Sequence, residues 1–206
     1  CANGEPQVAD ADKCLTWHQA RIGTRAKDAE RLGTALMFSE FGACLTDGPC
    51  TQEIDQVADT CDDHLVGWAY WQFKTYADLT TSAFDKAEGF YNHDGTLQDF
   101  KVKALARSYL MATQGLPTKQ SFDMDTAAFI ADYTVDTSIN AESVLYLNQQ
   151  YYYANGYKFV VSLKETGVAL SSSQVKIDES DARYVKFQVT DAALNGKTIA
   201  VLLTKQ

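Results

Sequence analysis

Two apolar segments separated by an amphipathic stretch constrain this chain more than any other feature. The first, Thr34-Ala35-Leu36-Met37-Phe38-Ser39-Glu40-Phe41-Gly42, is short and bounded by Gly33 and Gly42, which predicts a buried β-strand. The second, Gly67-Trp68-Ala69-Tyr70-Trp71-Gln72-Phe73-Lys74, predicts another strand, ending in aromatics. Between them Ile54, Val57, Ala58, Cys61 and Leu65 recur at helical spacing, predicting a helix over 51–65. Thr51 is its expected N-cap, and Glu53 and Asp55 favour the positive end of its dipole. Strand, helix, strand is the grammar of a parallel sheet. Glu40 is the one ionisable residue of the first strand, and it sits near the C-terminal end. A buried, unpaired carboxylate is costly, so it needs a partner, water or a chemical role. In a (β/α) barrel the chemistry lies where the strands end.

The 206 residues, 46% of them hydrophobic, suffice for one or two domains with cores of their own. A net charge of -9 argues against sequence-independent nucleic-acid binding and gives no polybasic anchor for anionic lipid. No apolar run reaches the roughly 18 residues of a membrane-crossing helix. The chain opens on Cys1 rather than Met, which reads as an internal start left by processing or fragmentation. Five cysteines stand at 1, 14, 44, 50 and 61 and form no CxxC pair, so no metal site is expected. Cys44 and Cys50 bracket Leu-Thr-Asp-Gly-Pro, a turn-rich loop that brings them within reach of a disulfide. That bond implies an oxidising compartment: secreted, or a lysosomal or vesicular lumen. The odd count leaves one cysteine as a buried thiol or as a link to polypeptide outside this chain, with Cys1 or Cys14 as the candidate.

Upstream, a helix is expected from Asp10 or Asp12 to Gly33, with Leu15, His18, Ile22, Ala26 and Ala29 on its apolar stripe. His18, with no second histidine nearby, reads as a packed or capping residue. Residues 75–95 read as a long loop with Tyr76, Phe84, Phe90, Tyr91 and His93 interleaved, and 96–114 as a further helix. Gly115 and Pro117 suggest that Leu116–Gln120 is a linker. From Ser121 onward short alternating segments take over: 127–133, 144–146, 159–163, 184–188 and 199–203. Asn155-Gly156, Gly167 and Asn195-Gly196 mark turns between them. Residues 121–206 are therefore expected to form an antiparallel β-sandwich. Tyr151-Tyr152-Tyr153 reads as packing rather than as a sugar or lipid platform.

The motifs Phe38-Ser39-Glu40-Phe41-Gly42 and Trp68-Ala69-Tyr70-Trp71-Gln72-Phe73-Lys74 resemble the last two barrel strands of glycoside hydrolase family five, above all endoglycoceramidases and related glycosylceramidases. The likeness extends through Cys44 to Cys50, the Glu53 helix, the segment near Tyr109 and the Tyr152–Tyr157 stretch of the β domain. It implies that residues 1–116 are the C-terminal portion of a (β/α)8 TIM barrel, followed by the β-sandwich. It implies further that Glu40 is the nucleophile of a retaining glycosidase and that Trp71 stacks under the sugar beside the cleaved bond. Gln72 and Lys74 are further candidates for substrate contact. Trp68 and Tyr70 alternate to the other face and should not share that role.

No Asn-Glu dipeptide occurs, so the family's acid/base is not in this chain. A complete barrel takes about 250 residues. The expected partners are therefore an N-terminal part of the same enzyme carrying the acid/base glutamate, a glycolipid substrate, and a peripheral membrane contact; no cofactor or nucleic acid is implied. Two alternatives stand beside this reading: a non-catalytic structural or binding member of an assembly that reuses the fold, and a family-five glucanase.

Overall fold

The computed structural model of the protein describes residues 8–42, 44, 47–74 and 85–206. The chain divides into two compact units, one ending at Leu105 and the other beginning at Ala106. The expected boundary lay at 116–121. It moves because the predicted helix 96–114 ends early, and its second half joins the β unit.

The first unit opens with α1 (Ala11–Leu32), closed by Gly33 in the left-handed conformation at φ 65°, whose N–H reaches the Ala29 and Glu30 carbonyls. Strand β1 (Met37–Gly42) follows, then α2 (Pro49–Asp63) and β2 (Gly67–Trp71). β1 and β2 pair in parallel, Met37 opposite Gly67 and Gly42 opposite Trp71. Ile22, Val57, Cys61 and Val66 form the buried core, with Leu36, Phe38, Phe41 and Trp68 packed against it. One face of the strand pair is thus covered by the two helices. Short helices α3 (Asp85–Glu88) and α4 (Asp99–Leu105) complete the unit.

Several local expectations give way here. The cap of α2 is Gly48 with Pro49 in the first turn, while the Thr51 hydroxyl donates to Asp47 Oδ1 at 3.0 Å. Proline needs no N–H partner at a helix start, which favours this earlier entry. Leu65 leaves the apolar stripe: it lies beyond the helix end at φ 53° and is exposed. The first strand is half-exposed rather than buried. Tyr76 and Phe84 of the expected loop, and Cys1, lie outside the described residues. Cys14 is disulfide-bonded, so it is not a free thiol; the buried thiol is Cys61.

The second unit is two four-stranded antiparallel sheets, which identifies the expected sandwich. One has the order β4 (Gly115–Asp123), β5 (Ala128–Val135), β10 (Thr198–Lys205), β7 (Tyr157–Leu163). The other runs β3 (Tyr109–Ala112), β6 (Ser143–Tyr146), β9 (Tyr184–Val189), β8 (Val175–Asp181). Alternate residues fill the core: Phe129, Ala131 and Tyr133 from β5; Ile199, Val201 and Leu203 from β10; Val185, Phe187 and Val189 from β9. The segments read as helix end and linker are β3 and β4. β4 is an edge strand, which is where a sheet tolerates Pro117 and polar residues. β8, also at an edge, is exposed along Lys176–Ser180 and lacks apolar alternation for the same reason. Of the tyrosine triplet, Tyr152 packs edge-on to Phe122, and the Tyr153 hydroxyl donates to the Ala127 carbonyl at 2.9 Å.

Candidate active site

The pairing of β1 with β2 slips by one residue between Phe38, opposite Trp68, and Phe41, opposite Tyr70. Three steps on β1 match two on β2, which is a β-bulge. Strict alternation would place Glu40 on the same face as Phe38. The bulge instead brings Phe38 and Phe41 both onto the helix side, and Glu40 is left exposed. The strand's carboxylate is therefore solvated rather than buried.

Trp71 ends the neighbouring strand opposite Gly42, 44% exposed. Gly42 has φ 151°, and a Cβ there would run into the Trp71 carbonyl oxygen, so only glycine lets the two strand ends close up. Trp68 is turned the other way, edge-on to Phe41 with ring centroids 5.6 Å apart. Tyr70 also packs on Phe41, at 5.4 Å. The Trp71-Gln72 peptide is cis. Gln72 is engaged by Glu88: its N–H donates to the Glu88 carbonyl at 2.9 Å and its amide to Glu88 Oε2 at 3.2 Å. Lys74 is exposed. Phe73, also exposed, stands edge-on to Phe90 and Tyr91.

The loop after β1 is tied down by the Cys44–Cys50 disulfide, Cα atoms 5.2 Å apart, as expected from the intervening turn residues. Cys44 N–H also donates to the Ala87 carbonyl at 3.0 Å, linking this loop to α3. Behind the sheet, His18 Nε2 meets Glu53 Oε1 at 2.8 Å between α1 and α2, which makes His18 a packed residue. Among the described residues no group of three or more histidine, cysteine, aspartate or glutamate side chains is arranged to hold a metal ion. No helix among them is long and apolar enough to cross a membrane. Sequence reasoning passed over Glu88, Gln98 and Lys101. Gln98, just before α4, and Lys101 and Ala104 on it are all buried, but with two polar residues among the three they form no apolar stripe that would mark an inner face.

The first unit thus carries an exposed glutamate on one strand and an exposed tryptophan at the end of the next, and an antiparallel β unit follows it in the chain. Two family models match: the cellulase model of glycosyl hydrolase family 5 over residues 3–77, and the glycoside hydrolase family 5 C-terminal domain over residues 107–201. The chain belongs to glycoside hydrolase family 5 and is endoglycoceramidase-like, comprising part of the TIM barrel and the C-terminal β domain. It is 26% identical over 146 residues to an endoglycoceramidase of Cyanea nozakii, a match covering 69% of this chain and 28% of that protein. Endo-glycoceramidase II from Rhodococcus sp. is similar in fold, with a TM-score of 0.64 at 20% identity over 88% of this chain and 36% of that one. Sterylglucosidase 1 of Cryptococcus neoformans is similar as well, with a TM-score of 0.69 at 14% identity over 93% of this chain and 32% of that one. The chain thus spans about a third of the length of these relatives.

Proposed function

We propose that this chain is the C-terminal part of a retaining β-glycosidase that cleaves the bond between sugar and lipid in glycosphingolipids, with Glu40 as nucleophile. The observation that carries the reading is that Glu40 is exposed on β1, two residues before Gly42, which lies opposite the exposed Trp71. In such a mechanism the carboxylate attacks the anomeric carbon through an oxocarbenium-like transition state. A second carboxylic acid about 5–5.5 Å away protonates the leaving oxygen and then activates water. Trp71 supplies a stacking face for the sugar at the cleaved bond. Because Gln72 is engaged by Glu88, Lys74 is the freer of the two for a substrate hydroxyl.

The acid/base comes, in this proposal, from an N-terminal part of the same enzyme that completes the barrel. Its support is the state of the strand pair: parallel strands are stable when both faces and both edges are covered, yet the apolar Met37 and Phe73 are exposed here. The disulfides support a secreted or luminal site of action, and a lipid substrate brings the enzyme to a membrane surface.

The test is Glu40→Gln in the enzyme expressed with the polypeptide that completes its barrel. Turnover of a fluorescent glucosylceramide should fall by at least about a hundredfold with folding intact, since loss of a nucleophile removes the covalent step. A mechanism-based fluoro-sugar should label Glu40 in the wild type. Undiminished turnover in the variant, or a label on another residue, would falsify the assignment.

A further inference from the structure

Lys101 is completely buried, at 0% exposure, on a helix of the barrel unit. Its ammonium donates to three backbone carbonyls, those of Cys44, Ala87 and Gly89, each at 3.1 Å. Cys44 lies on the loop after the Glu40 strand, and Ala87 and Gly89 on the segment after the Trp71 strand. Burying an ammonium costs several kcal/mol unless its protons are satisfied, so an apolar side chain would be the cheaper filler for a merely structural site. Neutral carbonyls accepting from a cation form charge-assisted bonds, which fix geometry more firmly than neutral pairs.

The neighbours of Lys101 make the same connection. Cys44 is held three ways: through Lys101, through the Ala87 carbonyl and through the disulfide to Cys50. Buried Gln98, one helical turn from Lys101, donates from its side chain to the Gly89 carbonyl at 3.0 Å and the Tyr91 carbonyl at 3.3 Å. Gln72, directly after Trp71, is bonded through both backbone and side chain to Glu88, which lies between the two Lys101 acceptors Ala87 and Gly89. One buried cation therefore ties Cys44, which follows the strand bearing the exposed carboxylate, to α3 and Gly89, which come after the strand bearing the exposed tryptophan.

We infer that Lys101 is a positioning residue for the reaction, holding the ends of β1 and β2 at the spacing that sets Glu40 against Trp71. The inference rests on the function proposed above. Positioning errors near 1 Å can cost about a hundredfold in rate, so slackening this clamp has kinetic consequences that a stability defect lacks.

The test is Lys101→Met, which keeps the stem and removes the ammonium, in the complete enzyme. Active sites are titrated with the fluoro-sugar, so that misfolded protein drops out of the rate. The expected result is a fall in kcat per titrated site of at least about tenfold with KM changed less than about threefold, and slower fluoro-sugar labelling of Glu40. A structural role alone would lower the titratable fraction and the melting temperature and leave kcat per site unchanged; kcat within twofold of wild type overturns the inference. Should Lys101→Met give no folded enzyme, Lys101→Arg is measured in the same way. It keeps the charge without the three-carbonyl geometry: the same loss of kcat supports positioning, and wild-type kcat refutes it. An active Glu40→Gln enzyme would instead sink the nucleophile reading. An inactive Glu40→Gln with an unchanged Lys101→Met would sink only the present inference.

Discussion

Replacing Trp71 by alanine separates a sugar platform from a core tryptophan. A tryptophan offers up to about 250 Å² of surface. Trp71 is 44% exposed, so about 110 Å² remains open to a ligand. A pyranose ring covers one face, between half and all of that area. At about 25 cal/mol per Å² this is about 1.4–2.7 kcal/mol. Because each 1.4 kcal/mol is a factor of ten, kcat/KM on a short chromogenic β-glucoside should fall about ten- to a hundredfold. The cost to folding should be small by comparison, because much of the ring already lies in water. Trp71→Phe, with a smaller ring, should lose less than Trp71→Ala. The assay pairs steady-state kinetics of the barrel-complete enzyme with thermal unfolding of the same preparations. A sharp drop in melting temperature with kcat/KM of the surviving enzyme within threefold of wild type would show that the ring only packs.

Three further outcomes are expected. Cys44→Ser with Cys50→Ser should destabilise the loop after β1 by about 2 kcal/mol, the chain-entropy value for so short a closed loop; unchanged hydrogen exchange over residues 44–50 would contradict it. Glu53→Ala should leave His18 buried without its partner at a cost of about 1–3 kcal/mol, read by denaturant unfolding; no change in midpoint would show that the pair is idle. The β unit should lose stability as pH rises above 10. Burial holds the Tyr133 and Tyr153 hydroxyls protonated up to about 12, while in the unfolded chain they ionise from 10.0. The unfolded state then binds fewer protons, so stability falls with pH across that window, by on the order of 1 kcal/mol per tyrosine at pH 11. Tyr→Phe at both positions should flatten that slope, and a slope unchanged in the double variant would place the titration elsewhere.

Much of this was legible in the chain itself, for reasons that lie within a few residues of each position. An apolar run between two glycines marked β1, an aromatic run opening on Gly67 marked β2, and the helical stripe between them dictated parallel pairing. Turn residues between Cys44 and Cys50 brought the cysteines together. Period-two alternation marked the five strands of the sandwich that have one face in the core. Edge strands β4 and β8 escaped because an edge asks for charge and tolerates proline, which reads as loop. β3 escaped because four residues carry too little periodicity to interrupt a helix.

The site depended on contacts distant in sequence. A residue's face along a strand follows from counting by two only while the register holds, and the slip between Phe38 and Phe41 is set by what β2 offers opposite them. That slip, and not the position of Glu40 in the sequence, turns its carboxylate to solvent. Lys101 resembled any charged residue on a short helix, because nothing local distinguishes a solvated ammonium from one enclosed by carbonyls 57, 14 and 12 positions away along the chain. Local propensity and patterning chose the elements. The bulge, the paired strand ends and the buried cation exist only once those elements are packed, because each is defined by partners that the chain brings together through folding.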